Sequence, residues 1–180
     1  MVTDSVTVRQ LNANEISVYK ALRLEALYSE PASFISQTDD WLALPADKWR
    51  EKLRTPVFVA LSGGEAVGMM SLLPNEHVKI RHRATIAGVF VRESFRGSGV
   101  ASRLFRVLEE YARDRKIFQL ELSVIGNNPR ALRFYERAGF EIVGRIPNAL
   151  LDKRRRANEI IMARRIDPLS KHDEFLVHEL

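Results

Sequence analysis

Between residues 89 and 101 the 180-residue chain runs VFVRESFRGSGVA, an apolar strand-like stretch followed by two closely spaced glycines and the first turn of a helical pattern. Gly97 and Gly99 lack a Cβ, so several backbone N–H groups can converge there. The start of a helix adds unpaired N–H groups and a partial positive charge. Together these features predict an anion site, most naturally for a phosphate or pyrophosphate. A tight strand-to-helix turn that needs glycine is the alternative interpretation.

Two common phosphate-binding loops do not fit this segment. The chain contains no G-x-x-x-x-G-K-[ST] string, which excludes a Walker A loop. A dinucleotide fingerprint needs G-x-G-x-x-G/A directly after a strand. Here Ser102 occupies the third glycine position, and residues 92–96 separate the strand from Gly97. The loop is therefore unlike either class.

The remaining patterns predict an α/β chain. Helices are indicated by apolar residues near a 3.6-residue period or by a proline at the first helical position, and they cover residues 15–28, 45–54, 99–115 and 128–138. Strand patterns cover residues 6–9, 57–61, 66–73, 79–91, 117–124, 141–143 and 159–164. Residues 30–44 are expected to form an irregular connection, and Gly88 predicts a bulge in the long strand. The mixture implies a layered fold with a partly antiparallel sheet.

The composition excludes several classes of protein. The chain is 46% hydrophobic and 28% charged, and its lack of cysteine excludes disulfides, cysteine-ligated zinc, iron–sulfur clusters and a cysteine nucleophile. Its longest near-apolar stretch, residues 84–91, is far shorter than the roughly 20 residues that a membrane-spanning helix needs. The first 25 residues lack the pattern of a secretory signal. We therefore expect a cytoplasmic protein with no membrane partner and no metal.

The net charge of +5 fits a partner that carries phosphates, which includes nucleic acids, nucleotides and coenzymes. Two basic clusters, residues 79–83 and 153–156, contain no interleaved aromatic residues, which disfavours single-stranded nucleic acid. Charge runs of this kind are usually solvated surface. We therefore expect no nucleic-acid partner.

Two motifs, in order along the chain, resemble those of one enzyme superfamily. Arg96-x-x-Gly99-x-Ala101 matches the Q/R-x-x-G-x-G/A motif of the GNAT acetyltransferases, and residues 128–140, NPRALRFYERAGF, resemble their N-x-x-A-x-x-x-Y-x-x-x-G-F segment. The glycine hairpin at residues 63–68 is also similar, so the resemblance extends from Val6 to about Arg165. It implies a mixed, mostly antiparallel central sheet flanked by helices on both faces. It also implies a single domain over residues 1–166, with residues 167–180 as a C-terminal tail.

The resemblance implies that acetyl-CoA is the co-substrate. Its pantetheine arm would lie along the long strand, and its pyrophosphate would meet the amides of the glycine loop. Asn128 would contact the pantetheine arm or the adenosine, and it also fits as a plain helix N-cap. The coenzyme-binding residues implied in this way are Val89, Phe90, Val91, Arg96, Gly97, Ser98, Gly99, Val100, Ala101, Asn128 and Tyr135.

The chemistry expected of such a protein is attack of an amine on the thioester. By the resemblance, Tyr135 would protonate the departing sulfur, although it also fits as a half-buried core aromatic. Many members carry a glutamate on the long strand as general base, but residues 84–91 contain none. Glu121, on the next strand, is therefore the candidate base, with His82 behind it, although Glu121 also fits as an ordinary strand residue. A backbone N–H at the Gly88 bulge would stabilise the oxyanion.

The acceptor is expected to be a primary amine of a small molecule. The alternatives are acetylation of a protein N-terminus or lysine, and a non-catalytic CoA-binding sensor. Asp39, Asp40 and Glu30 are carboxylates that would attract a cationic amine. A homodimer is a further expectation that rests on the resemblance alone.

Overall fold

The computed structural model describes residues 6–126, 128–152 and 155–167. Three 3₁₀ turns, Pro31–Ser33, Val78–Ile80 and Glu93–Phe95, connect longer elements. The helices are α1 (Ile16–Ser29), α2 (Thr38–Leu42), α3 (Ala46–Lys52), α4 (Val100–Asp114) and α5 (Pro129–Arg137). The strands are β1 (Thr7–Gln10), β2 (Val57–Ser62), β3 (Glu65–Pro74), β4 (Arg83–Val91), β5 (Gln119–Ile125), β6 (Glu141–Asp152) and β7 (Arg155–Arg165).

The seven strands form one sheet in the order β1-β2-β3-β4-β5-β7-β6. Every neighbouring pair is antiparallel except β4 and β5, which run parallel. Helices cover both faces: α4 and α5 pack over one core, which includes Leu104 and Tyr135, and α1 and α3 pack over a second core, which includes Leu22 and Trp49. The predicted fold class, a mostly antiparallel mixed sheet between helical layers, is confirmed.

Local sequence signals explain where α4 and α5 lie. In α4 the buried positions Val100, Leu104 and Leu108 recur every four residues, so one face of the helix can pack on the sheet. Helix α5 begins at an N-cap, because the side-chain Oδ1 of Asn128 accepts a hydrogen bond from the Ala131 N–H at 3.0 Å. It ends before Gly139, whose φ of +85° is a left-handed conformation that glycine adopts without a Cβ clash.

A bulge interrupts β4, as Gly88 predicts. Met69 pairs with Phe90 and Ser71 pairs with Ala87, so two residues of β4 lie opposite Met70 alone. Gly88 has a φ of +60°, the left-handed conformation that a bulge of the glycine type places at this residue. Ile86, before the bulge, belongs to the α4 core, whereas Phe90, after it, belongs to the α1 core.

Several predicted boundaries are wrong. Residues 79–82 are not strand, since 78–80 form a 3₁₀ turn and β4 starts at Arg83. Residues 30–44 are not wholly irregular, because α2 forms there with Asp40 accepting from the Gln37 N–H in a capping box. Strands β6 and β7 are longer than predicted, because their solvent-exposed stretches carry no regular apolar alternation and are paired through backbone groups.

The β6–β7 hairpin is itself irregular. Its register shifts between Ile146 and Leu150. At this point Asn148 has a φ of +51°, and its N–H donates to Oδ1 of Asn158 at 3.0 Å. The predicted tail lies almost entirely outside the described residues, so the division at residue 166 stays a prediction. Within the described ranges no helix is long and apolar enough to cross a membrane.

Candidate active site

A cleft opens where β4 and β5 part. The two strands pair at only three positions, Arg83 to Thr85 against Gln119 to Glu121. Beyond them β4 bends at its bulge and β5 continues beside β7. The space between the strands is part of a cavity of about 1170 Å³ that reaches the glycine loop, α5 and the segment after α1. Backbone groups on the facing edges of both strands are therefore available to a ligand.

The structure brings nearly all of the predicted coenzyme residues to this cleft. Its lining includes Val89, Phe90, Val91, Arg96, Gly97, Gly99, Val100, Ala101, Asn128 and Tyr135. Ser98 is the exception, since it does not line the cleft and its hydroxyl donates to the Phe95 carbonyl at 2.7 Å. The Ser98 side chain therefore holds the turn together.

The glycine loop presents backbone to the cleft. Gly97 and Gly99 have φ angles of +77° and +87°, and apart from its immediate neighbours in sequence a Cβ on either would meet no atom of the described residues within 4 Å. Gly99 is the N-cap of α4, and no side chain in the described part of the chain caps the first turn of that helix. The anion-site interpretation and the tight-turn interpretation of the glycines are therefore compatible. The turn needs their backbone conformation, and it leaves an uncapped helix start facing open space.

Arg96 links the end of β4 to the segment after α1 through its side chain. Its Nε donates to the Val91 carbonyl at 3.0 Å, and its Nη2 pairs with Glu30. Glu30 also pairs with Arg130 at 3.3 Å and accepts from the Ser33 hydroxyl at 3.2 Å. Glu30 is therefore neutralised by two arginines and is not a free site for a cationic amine.

The segment after α1 is tied to α5 across the cleft. Nδ2 of Asn128 donates to the Ser33 hydroxyl at 3.2 Å, while its Oδ1 caps α5. Asn128 is thus a helix cap and a cross-link at once. Asp39 and Asp40, the other predicted acidic candidates, do not line the cleft.

Tyr135 is a buried residue on the α5 side of the cleft. Its ring makes edge-to-face contacts with Phe134 and Phe140, with ring centroids 5.1 and 5.6 Å apart. Burial raises the pKa of the Tyr135 phenol, because it disfavours the charged phenolate. The phenol therefore keeps its proton throughout the physiological pH range.

Glu121 lies outside the cleft lining, at the last position where β4 and β5 are still paired. Arg83 holds its carboxylate through two contacts, one of them between Nη2 and Oε2 at 2.8 Å, and Gln119 donates to it at 2.7 Å. The hydrogen bonds from Arg83 lower the pKa of Glu121. His82 also lies outside the lining and is exposed. This placement does not favour either residue as the base, and that role stays a prediction for both.

Glu159 and Arg23 are two of the charged cleft-lining residues that the sequence analysis did not name. Glu159, on β7, pairs with Ile125 and so faces the same side of the sheet as Ser123. Among the described residues nothing hydrogen-bonds to its carboxylate. Arg23, on α1, is buried and has no ion-pair partner in the described part of the chain. Within those ranges no three His, Cys, Asp or Glu residues are placed to hold a metal ion.

Known proteins share both sequence and fold with this chain. Residues 16–140 match the family model described as the acetyltransferase (GNAT) family. The L-amino acid N-acetyltransferase AaaT of Escherichia coli is 27% identical over 132 residues, which cover 70% of this chain and 78% of that protein. An uncharacterized N-acetyltransferase of Methanocaldococcus jannaschii is 36% identical over 86 residues, covering 47% of this chain and 38% of that protein. The first three curated relatives are matched over only 38% to 39% of their length.

Among solved structures, an acetyltransferase of the GNAT family from Streptococcus pneumoniae has a TM-score of 0.79 at 17% identity, covering 91% of this chain and all of that one. The Salmonella typhimurium protein yncA, in a structure with its cofactor acetyl-CoA, has a TM-score of 0.74 at 19% identity, covering 95% and 99%. Identities this low establish a shared fold. Substrates have to be argued from the residues of this chain.

The Arg83–Glu121 pair predicts a pH-dependent contribution to stability. The Glu121 carboxylate has a lowered pKa in the folded chain, so its contribution is present above the unfolded pKa of about 4.3 and is lost as the pH falls through the folded value. Glu121→Gln should reduce the free energy of unfolding at pH 7 by on the order of 1 kcal/mol, measured by urea denaturation. The deficit should begin to shrink below about pH 4, where the unfolded chain takes up a proton at this carboxyl, and should vanish once the pH lies below the lowered pKa of the folded chain.

Glu51→Gln is the matched control, because the Lys48–Glu51 pair is half exposed on both sides. Its effect at pH 7 should be smaller than that of Glu121→Gln. A deficit in Glu121→Gln that is the same at pH 7 and at pH 3 would contradict a role for the charge.

Proposed function

Because the chain belongs to the acetyltransferase (GNAT) family, we propose that it transfers the acetyl group of acetyl-CoA to a primary amine of a small molecule. The proposal rests above all on the cleft between β4 and β5. One end of this cleft meets the Gly97–Gly99 loop, and the buried phenol of Tyr135 lies on its wall. An anion site and a proton donor beside one open strand edge are what a CoA thioester requires.

The coenzyme binds along this path. The first amides of α4 hold the pyrophosphate, since they have no side-chain cap and carry the positive end of the helix dipole. The free edge of β4 after Thr85 hydrogen-bonds to the pantetheine arm, with Val89 and Val91 as the residues implied by the family. Arg96 supports this strand end through the Val91 carbonyl rather than by touching phosphate.

The reaction needs a proton to leave the amine and another to reach the sulfur. The neutral amine attacks the thioester carbon, the C–S bond breaks, and Tyr135 gives its proton to the departing thiolate. The phenol suits this task because burial keeps it protonated. The N–H groups at the Gly88 bulge stabilise the oxyanion that forms on the way.

Glu159 accepts the proton that the amine loses. It lines the cleft, and its carboxylate has no partner among the described residues. Glu121 is the less suitable base, because Arg83 holds it as an anion outside the cleft. No covalent intermediate with the protein is needed.

A small acceptor fits the cleft better than a polypeptide does. Ser33 is tied to Asn128 and Glu30 to Arg130, so the segment after α1 is fastened across the cleft. Among the relatives, AaaT of Escherichia coli is named for acetylating L-amino acids and one protein of Caenorhabditis elegans for acetylating thialysine. Acetylation of a protein N-terminus or lysine is the alternative, and a CoA-binding sensor without turnover is a third. A cytoplasmic location and a homodimer stay predictions.

The first prediction from the proposed function concerns coenzyme binding. Acetyl-CoA at about 100 times its Kd should stabilise the folded chain by about 2.7 kcal/mol, seen as a rise in Tm. Gly99→Glu places a side chain and a negative charge at the uncapped helix start and should remove that rise. Gly64→Glu is the matched control, because Gly64 has a φ of +85° and open space around it, as Gly99 does, but lies in the β2–β3 hairpin. Both variants should lower the Tm of the free protein, and only Gly99→Glu should lose the response to acetyl-CoA.

The second prediction concerns Tyr135. Tyr135→Phe should lower kcat by about 10²–10⁴ with any accepted amine, while the Tm rise with acetyl-CoA stays, because only the hydroxyl is lost. Tyr111→Phe is the control, since Tyr111 packs against Phe58 and lies outside the cleft lining. An unchanged kcat in Tyr135→Phe would leave Tyr135 as a packing residue. If in addition wild type acetylates no amine, the sensor alternative replaces the enzyme.

The third prediction distinguishes the two candidate bases through the pH profile of kcat/KM. Glu159→Gln should lose most activity at low pH, where an amine with a pKa of about 8 to 10.4 is almost wholly protonated and a base is needed most. The loss should shrink as the pH rises toward the pKa of the amine. If Glu121→Gln shows this profile instead, the sequence-based assignment of Glu121 stands and that of Glu159 falls.

A further inference from the structure

Arg23 is a buried cation with unsatisfied hydrogen-bond donors. It is 6% exposed, although it lies on the surface helix α1. Its Nε and Nη1 are buried and have no hydrogen-bond partner among the described residues. No carboxylate of the described residues lies within ion-pairing distance of it. A buried charge without a partner is costly, and the cost is avoided when an anion binds.

Two aromatic rings pack against the guanidinium. Its carbon lies 4.8 Å from the centroid of Phe34 and 4.3 Å from the centroid of Trp41. Such rings satisfy the faces of a guanidinium, but its N–H groups point outward in its plane and stay unmatched. Burial lowers the pKa of Arg23, yet a guanidinium stays charged at physiological pH. The rings therefore orient the donors without satisfying them.

The unmatched donors lie at the reaction site proposed above. Arg23 lines the cleft, and Nη1 is 3.9 Å from the position that a Cβ on Gly88 would occupy. Gly88 is the bulge residue beside which the thioester is expected. Arg23 approaches it from the α1 face of the sheet, whereas Tyr135 belongs to the core on the α4 face. The cation and the phenol thus lie on opposite faces of the sheet.

We infer that Arg23 binds a carboxylate of the acceptor, so that the substrate is an amino acid whose amine is one or two carbons from its acid group. The inference rests on the proposed acetyl transfer and names its substrate class. A carboxylate takes two parallel hydrogen bonds from one edge of a guanidinium, and the edge formed by Nη1 and Nη2 of Arg23 makes no hydrogen bond to the described residues. With the carboxylate on Arg23, an amine one or two carbons away lies next to the bulge.

The test compares matched acceptors with wild-type protein. The probes are the L-amino acids, their carboxamides and the amines that remain when the carboxylate is removed, for example L-leucine, L-leucinamide and isopentylamine. The site leaves a buried cation unpaired when the carboxylate is missing, so kcat/KM for the best acid should exceed that for its amide by at least about 100-fold. Equal values for acid, amide and decarboxylated amine would overturn the inference.

Two variants assign the preference to Arg23. Arg23→Gln should reduce the acid-to-amide ratio of kcat/KM to below about 10, through a rise in KM for the acid. Arg23→Lys keeps a charge but loses the fork, and its ratio should lie between those of wild type and Arg23→Gln. Lys20→Gln is the control, since Lys20 is an exposed cation on the same helix, and its ratio should match that of wild type.

The possible outcomes distinguish a failure of this inference from a failure of the proposed function. A Tm rise with acetyl-CoA in each variant shows a folded coenzyme site, so a loss of that rise in Arg23→Gln would instead assign Arg23 to the coenzyme and overturn the inference. Acetylation of amides but of no acid would overturn it while leaving acetyl transfer intact. No acetylation of any probe by wild type would overturn both. An unchanged ratio in Arg23→Gln would leave Arg23 as a packing residue.

Discussion

The short parallel contact between β4 and β5 is the constraint on which the rest of this site depends. Three residue pairs hold the strands together, and the bulge at Gly88 then bends β4 while β5 follows β7. If β4 and β5 paired along their whole length, the sheet would be continuous there and would separate the α1 core from the α4 core. The gap lets residues from both faces act on one ligand. Tyr135 is presented from one face, and Arg23 and Glu159 are presented from the other.

The ion pair at the closed end of the gap has a structural role in this arrangement. Arg83 stands at the first paired position of β4 and Glu121 at the last paired position of β5, and two contacts between their side chains hold the adjacent strands side by side. A second set of polar contacts lies at the open end of the gap, where Arg96 links the end of β4 to Glu30 in the segment after α1. Polar contacts at both ends thus set the width of a space whose walls are mostly apolar side chains and free backbone.

The sequence predicts those parts of the site that depend on local structure. The conformations of Gly88, Gly97 and Gly99, and the Asn128 cap, follow from residue types and their neighbours, and each is found as predicted. Features that depend on distant contacts are not predicted. The Arg83–Glu121 pair joins residues 38 positions apart, and the partners of Glu30 are 66 and 100 positions away. In α1 the apolar period predicts a helix, but it does not predict that Arg23 is buried beside Leu22. Arg23 lies four positions from both Tyr19 and Leu27, so its place on the apolar face was the available signal.

The irregular β6–β7 hairpin has a consequence for how this protein behaves at high concentration. β6 is an outer strand of the sheet, and it exposes Ile142, Val143 and Leu151 to solvent. A long, regular, apolar edge of this kind is a template for the strand of another molecule. The register shift after Ile146 interrupts it, Pro147 has no N–H to donate, and Asn148 is turned into a left-handed conformation. Only short lengths of the edge remain straight, which protects the sheet from growing by addition of further chains.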